Sequence, residues 1–157
     1  MDHLDKVIIG NVSDTDVALI VDNKTIEEYL LTEKIKFSKI VKEQDEINKK
    51  EITYINGASN EDDFNDIRRF LKKNNLNKNI CMVDVSNHSA CINTKSFIIK
   101  PTIELKSSNI SSYVNNTKGG SIIKIDKNLT LNEFKVYLSK LKYNNLEIVD
   151  LIGLIKE

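Results

Sequence analysis

Tryptophan is absent from this 157-residue chain, proline occurs once and glycine five times. Aromatic side chains make up only 6%, so the core must be built mainly from Ile, Leu and Val. So few glycines leave little room for the close backbone approach that many ligand sites use. Only two cysteines are present, and they form no CxxC zinc knuckle. Neither charge sign is in excess: 23 Lys and Arg balance 23 Asp and Glu. That balance disfavours a general nucleic-acid binder, which carries a basic stripe. Arginine occurs only at Arg68 and Arg69, so the guanidinium fork that reads phosphates and guanine edges is scarce. No run of about 18 apolar residues exists to cross a membrane, and "VIIG" is too short for a secretory leader. The expected compartment is reducing cytosol, with Cys81 and Cys91 as free thiols. The abundance of Lys, Asn and Ile reads as codon bias from an A+T-rich genome.

Periodicity is informative where composition is not. The β-branched runs "DKVIIGNV" (5–12) and "DVALIVD" (16–22) read as strands. "KTIEEYLLTEK" (24–34) reads as a helix capped by Thr25, burying Ile26, Tyr29 and Leu30. Strands follow at 35–41 and 51–57. Ser59 precedes an acidic first turn and a lysine-rich last turn, the charge order that a helix dipole favours. Phe64, Ile67, Phe70 and Leu71 form that helix's stripe. Strands are expected at 79–85, 96–105, 121–126 and 146–155, with Pro101 at an edge or bulge. Residues 107–120 read as a long polar loop. Thr130 and Glu133 form a capping box for a helix burying Leu131, Phe134, Leu138 and Leu141. The fold class is α/β, with α+β as the alternative. The expectation is a single domain over 1–157, a mixed sheet of six to eight strands packed by three helices.

"CMVDVSNHSAC" (81–91) concentrates the chemistry-bearing residue types. Alternation makes Cys81 a small buried hydrophobe. Cys81, His88 and Cys91 have no standard zinc spacing. As a catalytic set, His88 would be the acid–base group, Asp84 would orient it, and Cys91 would be the nucleophile. Asp84 to His88 follows one strand and Asn11 to Asp16 another. If the two strands point the same way, Asp14, Asp16, Asp84 and His88 form one polar cleft, with Asp14, Asp16 and Asp84 able to hold a metal ion. Lys118, Gly119 and Gly120 are a candidate cofactor loop. Phosphate cradles open helices, however, and a strand follows here. Asp22 and Lys24 resemble half of a metal-dependent nuclease site, with Asp5 or Asp14 as the missing acid.

Without a strong catalytic motif, the expected role is a non-catalytic binding or accessory subunit of an assembly. Its partner would be a protein or a second copy of the chain, with nucleic acid disfavoured and no membrane. No cofactor is identified. The alternatives are a small enzyme or nucleotide-binding domain using the Asp14, Asp16, Asp84 and His88 cleft, and a metal-dependent nuclease or nucleic-acid binder.

Overall fold

A computed structural model describes residues 7–8, 14–48, 52–83, 88–94 and 96–155. In chain order the first half holds β1 (Val7–Ile8), β2 (Asp16–Val21), α1 (Lys24–Thr32), β3 (Ser38–Val41), a 3-10 turn (Gln44–Glu46), β4 (Thr53–Asn56) and α2 (Glu61–Lys73). The second half holds β5 (Ile80–Met82), α3 (His88–Asn93), β6 (Phe97–Ile99), β7 (Ile103–Leu105), α4 (Ile110–Tyr113), β8 (Ile122–Ile125), α5 (Leu131–Tyr143), β9 (Glu147–Ile148) and α6 (Leu151–Ile155). The class is mixed α/β, as the sequence implies, and parallel pairing dominates it. The chain forms two compact units, each made of two segments. The first comprises 1–9 and 39–100, the second 10–38 and 101–157.

In the first unit β6 runs between β1 and β5, parallel to both. β4 pairs with β3, and the Gly57 N–H donates to the Val41 carbonyl at 2.7 Å just beyond them. α2 buries Phe64, Ile67 and Leu71, each contributing about 1.5–3 kcal/mol. Its N-cap is Asn60, whose side chain accepts from Asp63 N, not the neighbouring Ser59. Acidic Glu61, Asp62 and Asp63 occupy its first turn and Lys72 and Lys73 its last, as expected. Asn77 stands in for a strand beside β4: Tyr54 N donates to its Oδ1 and its Nδ2 donates to Tyr54 O, both at 3.0 Å. A buried polar chain follows. Asn56 Nδ2 donates to Asn79 Oδ1 at 3.0 Å, Asn79 Nδ2 to Ser96 Oγ at 2.8 Å, and Ser96 and Thr94 share a 2.8 Å hydroxyl bond.

In the second unit β8 lies between β7 and β2, all parallel, and β9 also pairs with β2 in parallel. Val17 to Val21 are all essentially inaccessible to water. A strand covered on both faces reads as a continuous apolar run. Parallel pairing needs crossovers: the segment holding α4 joins β7 to β8, and α5 joins β8 to β9. α5 is capped by the Thr130–Glu133 box and buries Phe134, Tyr137, Leu138 and Leu141. Tyr29 of α1 meets Phe134 edge to face at a centroid distance of 6.5 Å.

Four sequence expectations differ in detail. The run 96–105 is two strands, because Pro101 has no N–H to continue a ladder, and the break falls where one unit gives way to the other. The run 146–155 is β9 followed by α6, since an apolar stretch of that length carries no period to separate strand from helix. Segments expected to be loops contain α3 and α4, so six α-helices stand where three were expected, counted among the described residues. Asn23, not Thr25, caps α1.

Candidate functional site

The carboxyl ends of β7, β8 and β2 finish in register. Leu105 lies opposite Ile125, and Ile125 opposite Val21. The next residues are Lys106, Asp126 and Asp22, brought side by side on strands about 4.8 Å apart. The Asp126 N–H donates to Leu105 O at 3.0 Å, extending the ladder by one residue. Ligands of open parallel sheets gather beyond this edge. Asp22 is exposed and Asp126 half-buried; Asp126 Oδ2 accepts from Asn128 N at 3.1 Å.

Asn23 fixes the rim. Its Oδ1 accepts from Ile26 N at 3.1 Å, while its Nδ2 faces the carbonyls of Asp126, Lys127 and Leu129 at 3.4, 3.1 and 3.0 Å. One side chain thus caps α1 and ties down the turn from β8 to α5. Beside it, Ser107 Oγ donates to Glu133 Oε1 at 2.6 Å, and Thr130 donates to the same oxygen from N and Oγ1, both at 3.0 Å. The Ser107 bond first, then the Thr130 amide, hold the Glu133 carboxyl below its ordinary value. Two carboxylates and a lysine in one row can move protons and orient hydroxyl or carbonyl groups. Sequence reasoning found Asp22 but missed Lys106 and Asp126. The signal was the first polar residue after each of "ALIV", "IEL" and "IIKI".

Of the residues singled out from sequence, the rim includes Asp22. Asp14 and Asp16 stand at the amino end of β2, with Asp16 Oδ1 accepting from Thr15 Oγ1 at 3.2 Å. Gly120, at φ 88°, donates its N–H to Asp16 O. Lys118, Gly119 and Gly120 therefore form a turn entering β8 at the amino end of the parallel strands. β2 is six residues long, about 20 Å, so Asp14 cannot join Asp22 and Lys24 as the nuclease pattern requires. Asp5 and Asp84 lie outside the described residues. His88 opens α3. β1 and β5 do point the same way, both parallel to β6, but Asp14 and Asp16 belong to the second unit and His88 to the first. Cys81 and Cys91 are both buried and joined in a disulfide across ten positions. This corrects the expectation of two free thiols, and Cys91 has no thiolate to offer while the bond stands. Among the described residues, no group of three or more His, Cys, Asp or Glu is placed to hold a metal ion, and no helix is long and apolar enough to cross a membrane.

No protein-family model matches the chain, and no curated protein matches it in sequence. Solved structures do match. A peptidoglycan N-acetylglucosamine deacetylase superposes at TM-score 0.66 and 14% identity, over 96% of this chain and 93% of that one. A family 4 carbohydrate esterase from Bacillus anthracis superposes at TM-score 0.64 and 12% identity, over 96% of this chain and 87% of that one. At these identities the likeness shows the fold. The expectation of a non-catalytic accessory subunit is overturned by it: nearly the whole chain adopts a fold that two carbohydrate-modifying enzymes use.

Proposed function

We propose that this chain is a hydrolase that removes acyl groups from a carbohydrate, with the rim of Asp22, Asp126 and Lys106 as its reacting edge. The observation that carries the reading is the fold shared with a glucosamine deacetylase and a carbohydrate esterase over 96% of the chain. The rim supplies what such a reaction asks of a protein. Asp22, exposed at the end of β2, takes the proton of the attacking water as general base. Lys106 offers a positive charge to the oxygen that becomes negative as the carbonyl is attacked. Asp126, held by Asn128 N, orients a sugar hydroxyl. Water adds to the acyl carbon, the bond to nitrogen or oxygen breaks, and the proton taken up passes to the departing sugar group. A disulfide at Cys81–Cys91 fits an oxidising compartment better than the cytosol expected from composition.

The test is release of acetate from N-acetylglucosamine oligomers and from an acetylated sugar ester. Acetate should appear from at least one of them. Asp22→Asn should slow it by about a hundredfold, within the range of general-base contributions, and leave the melting temperature unchanged. No release from either substrate, or an unchanged rate in the variant, would sink the reading.

A further inference from the structure

A cleft of about 640 Å³ opens in the first unit, between the end of α2 and the approaches to β5 and β6. Its charge is one-sided. Arg68, Lys72 and Lys78 line it, and among the described residues no Asp or Glu does, although the whole chain is neutral. Arg68 is one of only two arginines. Its Nη2 donates to Asn65 Oδ1 at 3.2 Å, while its Nε–H is shielded from water and has no partner among the described residues. A buried donor without a partner is uncommon in a folded protein and calls for an explanation. With its Nε–H shielded, the Arg68 guanidinium meets the cleft through its terminal nitrogens, a planar fork suited to an oxyanion.

The remaining walls suit the same ligand. Lys78 Nζ lies 5.1 Å from the Phe97 ring centroid, a cation–π contact that restrains the ammonium without neutralising it. Thr94 and Ser96 also line the cleft, but their hydroxyls are bonded to each other, to Asn79 Nδ2 and to Ala90 O, which leaves the cations to meet an anion. The end of a helix normally repels anions. Here the last carbonyls of α2 are already taken: Phe70 O by Asn74 N and Nδ2, Leu71 O by Leu76 N, and Lys72 O by Asn75 N.

We infer that this cleft binds a phosphate dianion, free or carried as a monoester, between Arg68, Lys72 and Lys78. The site stands in the first unit and is independent of the hydrolase reading.

The two arginines make the test direct, because a nitrogen–proton NMR spectrum of the Nε groups should hold two signals. Inorganic phosphate should shift the Arg68 signal saturably and leave Arg69 in place, with Arg68→Lys removing the responding signal. Lys72→Gln and Lys78→Gln should each weaken binding at least threefold. A sugar monophosphate binding more tightly than inorganic phosphate would mark the ligand as an ester; equal affinity would mark it as the free anion. The inference fails if both arginine signals drift together without saturation, if neither moves, if acetate binds as well as phosphate, or if both glutamine variants keep full affinity.

Discussion

Asn79 donates from its amide to the Ser96 hydroxyl at 2.8 Å, joining the residues that lead into β5 and β6. Its carbonyl oxygen accepts from Asn56 Nδ2 at 3.0 Å, so one side chain links three strands inside the first unit. All three side chains are buried. Polar groups in that position stabilise only when every partner is present.

Asn79→Leu should therefore strand one proton of the Asn56 amide, which keeps its bond to Phe64 O, and remove one of the two bonds of the Ser96 hydroxyl, which keeps Thr94. Unsatisfied buried groups cost about 1–3 kcal/mol each. Urea unfolding should show a loss of about 2–4 kcal/mol by the same accounting. A loss below about 0.5 kcal/mol, the scale of an ordinary surface change, would mean that the chain of bonds is not maintained in solution.

Asn23 separates two roles through its two amide atoms. Asn23→Ala removes both the helix cap and the donor to the following turn, and should cost about 1–3 kcal/mol. Asn23→Asp keeps the cap oxygen but turns a carboxylate toward the carbonyls of Lys127 and Leu129. Denaturant titration should find the Asp variant no more stable than the Ala variant. An Asp variant matching the parent would show that the contact to the turn contributes nothing.

Burial pushes the Tyr137 hydroxyl up to about 12, and its 2.6 Å bond with Thr117 pulls the other way. Unfolded, the group loses its proton near the ordinary value of 10.0. Its contribution is complete below that pH and disappears as pH rises through about 12, because the unfolded chain ionises first. Tyr137→Phe should flatten the stability profile on the alkaline side and cost about 1 kcal/mol at neutral pH. Tyrosinate absorbance should show the late Tyr137 titration in the parent and lose it in the variant.

Glu133 titrates on the acid side. Its folded value lies below the ordinary 4.5, chiefly through Ser107. A depressed carboxyl stabilises above its unfolded value and loses that contribution as pH falls through the folded one. Ser107→Ala should move the Glu133 carbon resonance to a higher titration midpoint, leaving the smaller Thr130 contribution. An unmoved midpoint would show that the Ser107 bond does not form.

The parts of the fold legible in sequence were those with redundant signals. α5 carried a capping box and an apolar stripe together, and α2 carried acidic and basic ends that match its dipole. Tyr137 was missed on α5 because its hydroxyl hid a fully buried ring. Asparagine was discounted as codon bias, yet Asn23, Asn56, Asn60, Asn77 and Asn79 make specific bonds. Their individual roles depend on what stands opposite in space, which a one-dimensional reading does not contain. The rim was half legible for the same reason. Asp22 ends an obvious strand, but its neighbours Lys106 and Asp126 are adjacent only through register.

The interleaving of the two units governs how the molecule can be made and cut. β2 is synthesised long before β8, its partner at Ala18 to Val21, and all of 39–100 belongs to the other unit. The second unit therefore cannot finish until its closing segment has emerged. No single contiguous fragment that omits the other unit contains either one whole. A protease nick between β6 and β7 would leave both segments of the first unit on one polypeptide and divide the second unit between two, so the nicked species should remain associated until denatured.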